Sequence, residues 1–134
     1  MKLYKCLSCG KENPFKGYSY ANKYCDNKCQ KDAEYKQFIT EWKQGFQDGV
    51  MKNGTSKHIH RYIREKQNGK CFSCGIDSWN GLPIVLELDH KDGNHTNNSE
   101  KNLRHLCPNC HSQTDTYKNK NVGNGRQSRR KLLQ

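Results

Sequence analysis

The chain has 134 residues and a formal net charge of +11, a size that allows one modest domain or two very small ones. Hydrophobic residues make up only 31%, which excludes a large conventional core, so a further kind of cross-link must stabilise the fold. The N-terminus, MKLYKCLSCG, contains no apolar run of signal-peptide length, and no other stretch approaches the length of a membrane span. We therefore expect a cytoplasmic protein with no membrane partner.

The charge is distributed unevenly along the chain. Residues 81–117 contain three basic and five acidic residues, whereas the rest of the chain contains 21 basic and eight acidic residues. A surface this basic attracts a polyanion such as nucleic acid, because phosphate contacts release counterions. The alternative is that the lysines only keep the protein in solution. The acidic segment instead favours a bound cation.

Eight cysteines form two sets of four, and each set consists of two closely spaced pairs. The first set is Cys6, Cys9, Cys25 and Cys29, and the second set is Cys71, Cys74, Cys107 and Cys110. Spacings of two or three residues let both sulfur atoms of a pair reach one ion, and two pairs complete the tetrahedral shell of structural Zn²⁺. Disulfides are the alternative, but they do not account for a near partner at every cysteine. The sequence therefore predicts two structural zinc ions.

Residues 1–31 are predicted to form a zinc ribbon around the first set of cysteines. Lysines alternate with aromatic residues in this segment, a composition typical of nucleic-acid-binding modules. The aromatic residues are Tyr4, Phe15, Tyr18, Tyr20 and Tyr24. Since they are equally suited to form the small core of a ribbon that only supports folding, the ribbon is interpreted as DNA-binding or structural.

Residues 32–55 are interpreted as a helical connector and linker. Apolar residues at helical spacing predict a helix from about Asp32 to Gln47. Its packing face consists of Tyr35, Phe38, Ile39, Trp42 and Phe46. The stretch QDGVMKNGTS, residues 47–56, contains two glycines and an asparagine and indicates a linker or loop.

Residues 56–121 are expected to form the C-terminal domain, which begins with a short helix. Ser56 is the predicted N-cap of this helix, and Gly69 is its predicted end, just before the second set of cysteines. Residues 122–134 form a basic tail without any acidic residue, a composition typical of nonspecific DNA contact.

A strand, a long polar loop, a second strand and a helix follow in that order. The first strand is predicted over residues 83–88 and delivers Asp89 and His90 at its end. The second strand is predicted over residues 103–106, and Pro108 suits the first turn of the helix.

His111 follows the last cysteine of the second set and is available for a different role. Four thiolates saturate Zn²⁺, so a fifth ligand is surplus. On a helix that runs to about Tyr117, His111 points roughly 100° away from Cys110 and hence towards the strand that ends at Asp89. A carboxylate and an imidazole beside a groove suit a divalent ion that holds a phosphodiester oxygen. His90, on the other side of the strand, suits a base for water at neutral pH. The combination predicts a hydrolase for nucleic acid.

The stretch LPIVLELDHKDGNHTNNSEKNLRHLCPNCHSQTDTYKNKN, residues 82–121, resembles the core of the HNH endonucleases, the ββα-metal nucleases. The likeness is to zinc-bound phage and homing-type members with CxxC pairs around that core. It extends less strictly back to about Ile59. The resemblance implies an α+β protein with an N-terminal zinc ribbon, a helical connector and a C-terminal ββα-metal domain that cuts DNA.

Four residues match the signature of this family by position. Asp89 resembles its metal-binding acid, and His90 resembles the histidine that acts as general base on water. Asn102 matches the middle asparagine, which orients the loop and the base. His111 matches the last signature residue and, with Asp89, would hold one catalytic Mg²⁺ or Mn²⁺ ion. The implied products carry 5′-phosphate and 3′-hydroxyl ends, and the implied location is the cytoplasm of a prokaryotic or phage-infected host cell.

Four neighbouring polar residues each have two interpretations. His95 and His105 are interpreted as bystanders or as substrate contacts. Asn98 either braces the loop or only forms a turn. Glu87, two residues before Asp89, either supports the metal site or is a solvated strand residue.

The alternative function is that of a noncatalytic zinc-containing DNA-binding protein that keeps the signature without turnover. A degenerate nuclease is expected to have lost at least one of the four signature residues, and all four are present. The sequence leaves open whether the protein is a monomer or a homodimer and whether it nicks one strand or cuts both.

Overall fold

The computed structural model describes residues 1–18 and 21–120. Contacts divide the chain into two compact units, Met1–Gln44 and Gly45–Gln134. Tyr20 and the predicted basic tail lie outside the described residues. Among the described residues, no helix combines the length and the apolar character needed to cross a membrane.

The first unit is a two-stranded hairpin followed by a long helix. Strand β1 (Leu3–Lys5) pairs antiparallel with β2 (Glu12–Pro14), and helix α1 covers Asn27–Lys43. Tyr4 of β1 is buried, and its hydroxyl donates a hydrogen bond to the Tyr24 carbonyl oxygen at 3.0 Å. This contact ties the hairpin to the segment that enters α1.

Helix α1 begins earlier than the predicted start at Asp32, and it ends before Gln47. The side chain of Asp26 caps the helix by accepting a hydrogen bond from the backbone N–H of Cys29 at 2.9 Å. The fourth cysteine of the first set therefore lies in the first helical turn. Of the predicted packing face, Trp42 is buried, whereas Phe46 lies beyond the helix and is exposed.

The second unit consists of short hairpins and two helices. Its strands are β3 (Val50–Met51), β4 (Gly54–Thr55), β5 (Ser78–Trp79), β6 (Leu82–Pro83), β7 (Glu87–His90) and β8 (Leu103–Leu106). Its helices are α2 (Lys57–Lys66) and α3 (Pro108–Ser112), with 3-10 turns at Glu100–Asn102 and Lys118–Lys120. Within the described part of the chain, every strand pairs antiparallel with one neighbour, as β1–β2, β3–β4, β5–β6 and β7–β8.

Helix α2 confirms the predicted cap and packs its apolar side into the unit. The Ser56 hydroxyl accepts a hydrogen bond from the backbone N–H of His58 at 3.3 Å. Ile59 and Ile63, one helical turn apart, are almost fully buried. Both α2 and α3 pack against the β7–β8 hairpin.

The strand predicted over residues 83–88 is divided between two hairpins. Asn80 and Gly81 both have positive φ, 51° and 78°, which is the backbone of a tight Asn-Gly hairpin turn. This turn pairs β6 with β5, and β7 begins only at Glu87. Both Asp89 and the residue after it therefore lie inside β7, so their side chains leave opposite faces of the hairpin.

Candidate active site

The second set of cysteines forms a compact cluster beside the β7–β8 hairpin. The sulfur atoms of Cys71, Cys74, Cys107 and Cys110 lie within 4.8 Å of one another. Those of Cys74 and Cys107 are 3.8 Å apart. Four sulfurs bound to Zn²⁺ at about 2.3 Å are separated by about 3.8 Å, so the cluster suits structural zinc.

The local hydrogen bonds favour a thiolate in this cluster. Although burial opposes ionisation, backbone N–H groups, including that of Cys107 at 3.3 Å, lower the pKa of Cys71 to about 6. Hydrogen bonding to the sulfurs of Cys107 and Cys74 raises the pKa of Cys110 to about 12. A divalent cation would let both Cys71 and Cys110 ionise, because it stabilises all four thiolates together.

The first set of cysteines forms an equivalent cluster. The sulfur atoms of Cys6, Cys9, Cys25 and Cys29 lie within 4.8 Å of one another, and those of Cys9 and Cys25 are 3.6 Å apart. The backbone N–H of Cys9 is the main cause that lowers the pKa of Cys6 to about 6. All eight cysteines are free thiols, so the predicted division into two four-cysteine sites is confirmed.

Helix α3 carries His111 at the second cluster. Cys107 caps this helix, since its sulfur accepts a hydrogen bond from the backbone N–H of Cys110 at 3.4 Å. The helix ends at Ser112 rather than at the predicted Tyr117, but the Tyr117 ring packs edge-on against the imidazole, with ring centroids 5.1 Å apart. The residues that suit zinc binding thus also fix where His111 points.

Asp89 and His111 meet between β7 and α3. Asp89 is only 4% exposed, and its Oδ1 lies 3.7 Å from Nε2 of His111. Two ligands of one ion with bonds of about 2.1 Å lie at most about 4.2 Å apart, so these two atoms can share a divalent ion. The sequence prediction that His111 faces Asp89 agrees with this geometry.

Glu87 fixes the orientation of the His111 ring. Its Oε1 lies 2.9 Å from Nδ1 of His111, and a carboxylate acceptor there favours the proton on Nδ1. The lone pair of the imidazole then lies on Nε2, the atom that faces Asp89. The side chain of Glu87 is 45% exposed, so both interpretations fit: it is a solvated strand residue that also contacts the site through His111.

Arg104 is a site residue that the sequence analysis did not assign. It lies opposite Asp89 in the β7–β8 register, and its Nε is 2.7 Å from Oδ2 of Asp89. The guanidinium also lies over the Phe72 ring, 5.8 Å from its centroid. Strand alternation alone gives no signal for this contact, because the cross-strand register decides it.

Asn102 closes the loop that joins β7 to β8. Its Nδ2 donates hydrogen bonds to Oδ1 of Asp92 at 2.9 Å and to the Asn97 carbonyl oxygen at 2.8 Å. Its own backbone carbonyl accepts from the N–H of Lys91 at 2.8 Å. Burial favours the neutral form of the Asp92 carboxyl group, but hydrogen bonds donated by Asn97 and other loop groups more than offset this and lower the pKa of Asp92.

His90 contacts the same loop rather than the Asp89 and His111 pair. Its Nε2 lies 2.7 Å from Oδ1 of Asn98. The structure therefore divides the four signature residues into two groups: Asp89 and His111 meet between β7 and α3, whereas His90 and Asn102 contact the loop between β7 and β8. The sequence signal for Asn98 is weak, since asparagine-rich loops are often only turns.

His105 is a core residue, so the interpretation as a substrate contact is wrong. It is 1% exposed and lies on β8, with its ring centroid 5.7 Å from that of His60 on α2. Among the residues that the structure describes, neither ring nitrogen has a hydrogen-bond partner. Burial is the main cause that lowers the pKa of His105 to about 4.

The order β7–β8–α3 beside a four-cysteine cluster is the ββα arrangement that the resemblance to the HNH endonucleases implies. The chain is 41% identical over 105 residues to H-N-H endonuclease F-TflIV of Escherichia phage T5. The matched residues make up 76% of this chain and 40% of that relative, so the chain spans about two fifths of its length. This similarity agrees with the resemblance of residues 82–121 to the HNH endonucleases. No family model and no solved structure matches the chain.

Proposed function

We propose that this chain is a metal-dependent DNA endonuclease of the HNH type that hydrolyses phosphodiester bonds. The observation that carries the proposal is the pair of Asp89 and His111, with Oδ1 and Nε2 3.7 Å apart. The similarity to a protein named as an H-N-H endonuclease supports the same activity. The net charge of +11 supports DNA as the partner.

Asp89 and His111 are the proposed ligands of one divalent ion, Mg²⁺ or Mn²⁺. Glu87 holds the imidazole of His111 with Nε2 available, and Arg104 pairs with Oδ2 of Asp89, so that Oδ1 remains for the ion. When bound, such an ion supplies charge stabilisation at the scissile phosphate and at the leaving 3′ oxygen. The two four-cysteine sites are proposed to be structural, because four thiolates leave no open position for substrate.

His90 is the proposed general base, which takes a proton from the attacking water. Asn102 is proposed to keep the loop in place behind this base. Its hydrogen bonds to Asp92 and Asn97 support that role, since they join the end of the loop between β7 and β8 to its start and to its middle.

Incubation of supercoiled plasmid with and without Mg²⁺ or Mn²⁺ tests the activity. Open circles would indicate nicking, and linear molecules would indicate a double-strand break. His90→Ala is expected to slow cleavage by about 10²- to 10⁴-fold, the usual contribution of a general base, while DNA binding stays near the wild-type level. His58→Ala removes an imidazole from the start of α2 and serves as the matched control, with cleavage expected at the wild-type rate.

The alternative is a noncatalytic zinc-containing DNA-binding protein. The ion pair between Arg104 and Asp89 is the observation that favours it, because a guanidinium already neutralises part of the proposed metal ligand. A gel-shift measurement beside the plasmid assay separates the two functions. DNA binding without cleavage in either metal would establish the alternative, and wild-type cleavage by His90→Ala would remove the proposed base.

A further inference from the structure

Asn98 connects the proposed base to a separate hairpin of the same unit. Its Oδ1 lies 2.7 Å from Nε2 of His90, and its Nδ2 donates a hydrogen bond to the Asp48 carbonyl oxygen at 3.0 Å. The hydroxyl of Thr55 lies 3.3 Å from the same Oδ1. Asn98 is 4% exposed, so these contacts are shielded from water.

The partners of Asn98 determine which way its amide faces. The backbone carbonyl of Asp48 can only accept a hydrogen bond, so the NH₂ group of Asn98 must point to it. The amide oxygen then faces His90, and an amide oxygen can only accept. Nε2 of His90 therefore carries a hydrogen and donates it, which leaves the lone pair of the neutral ring on Nδ1.

The contacts of Asn98 are with a closely packed hairpin of the second unit. Asp48 lies just before the β3–β4 hairpin and Thr55 lies on β4, and the Gly49 carbonyl accepts a hydrogen bond from the N–H of Ser56 at 2.8 Å. Gly49 has a φ of 73°, and a Cβ at this position would collide with the side chain of Ile59 on α2. The hairpin is thus packed directly onto the buried face of α2. The stretch predicted as a linker or loop, residues 47–56, therefore contains Asp48 and Thr55, and both residues contact Asn98.

We propose that Asn98 is a positioning residue that holds His90 in the Nε2–H tautomer and so presents Nδ1 as the atom that accepts the proton. The inference rests on the proposed function of His90 as base. A neutral imidazole has one lone pair, so the other tautomer would turn an N–H towards the water and accept nothing. In the step itself, the proton of water moves to Nδ1 as the water oxygen bonds to phosphorus and the 3′ oxygen departs. Throughout, Nε2–H stays bonded to Asn98.

Nitrogen-15 spectra of the histidine rings test the contact without any use of activity. The spectra are recorded on the zinc-loaded full chain at mildly alkaline pH, and they report directly which ring nitrogen of His90 carries a hydrogen. We expect Nε2 of His90 to be almost fully protonated and its N–H proton to be protected from exchange. In Asn98→Leu, the protection is lost and the two tautomers mix. A proton on Nδ1 in the wild type would overturn the inference.

Cleavage kinetics supply the second readout. Asn98→Leu is expected to lower kcat by about 10- to 100-fold, the usual effect of losing such a supporting contact, with KM and DNA affinity within about threefold of wild type. Asn98→Asp keeps an acceptor for His90 but loses donation to Asp48, so it should retain the Nε2–H tautomer and recover part of kcat. Asn53→Leu makes the same substitution at an exposed site in the β3–β4 turn and is expected to match wild type.

The outcomes separate this inference from the proposed function. If the wild-type chain cuts no DNA, the proposed function fails, while the ring spectra still decide whether Asn98 sets the tautomer. If the chain cuts DNA and Asn98→Leu retains both the protected Nε2–H and the wild-type kcat, Asn98 has no positioning role. Should Asn98→Leu fail to fold, Asn98→Ala is measured in its place, because it removes the amide without adding bulk.

Discussion

Replacement of the buried His105 by leucine is expected to stabilise the protein. A neutral histidine carries one donor and one acceptor, and both ring nitrogens of His105 are buried without a partner in the described part of the chain. Each unsatisfied buried group costs about 1–3 kcal/mol, whereas leucine is of similar size and carries no polar atom. Since leucine does not reproduce the ring shape, we expect a net gain of about 1–3 kcal/mol near neutral pH.

The same substitution is expected to remove a pH dependence. The folded-state pKa of His105 is about 4, below the ordinary value of 6.5, so the folded protein resists protonation of this ring. The difference corresponds to about 3 kcal/mol of stability, which is fully present above about pH 6.5 and is lost as the pH falls towards 4. His105→Leu has no such group, and its stability should fall less over that range.

Denaturant unfolding with zinc in excess, monitored by circular dichroism at several pH values from about 7 to 5, measures both the free energy of unfolding and its pH dependence. The difference between His105→Leu and wild type cancels the pH dependence of zinc binding, which both proteins share. His58→Leu changes a partly exposed histidine and is the control, with an expected change below about 0.5 kcal/mol. A loss of more than about 1 kcal/mol in His105→Leu, or an unchanged pH dependence, would refute this account of the buried ring.

Three further predictions concern the metals and DNA. Elemental analysis should find about two zinc ions per chain, since each four-cysteine cluster suits one, and a single zinc would contradict the division into two sets. Glu87→Gln replaces the carboxylate that orients His111, so it should weaken catalytic metal binding by about tenfold. The measurement is the Mg²⁺ concentration for half-maximal cleavage, which should rise. An unaltered Mg²⁺ dependence would count against this role of Glu87. DNA affinity should fall steeply with salt, by about 0.9 in logarithmic slope per neutralised phosphate, and a flat response would indicate another partner.

The sequence determined the features that depend on short spacings. Two cysteines with two or three residues between them can reach one ion whatever the rest of the chain does, which is why both four-cysteine sites were predictable. The cap at Ser56 was predictable for the same reason, since it involves only the first turn of α2. The boundaries of α1 were not, because the sequence pattern of its apolar face gave no sign that Asp26 starts the helix.

Only the tertiary structure decided how the candidate site is assembled. The contact of Arg104 with Asp89 follows from the register of β7 and β8, and that of His90 with Asn98 follows from the closed loop and the β3–β4 hairpin. His105 alternates with Arg104 on a short strand, yet one is in the core and the other is at the site. Local sequence fixes which residues can bind an ion, whereas strand pairing and packing fix which side chains meet across long separations in the chain.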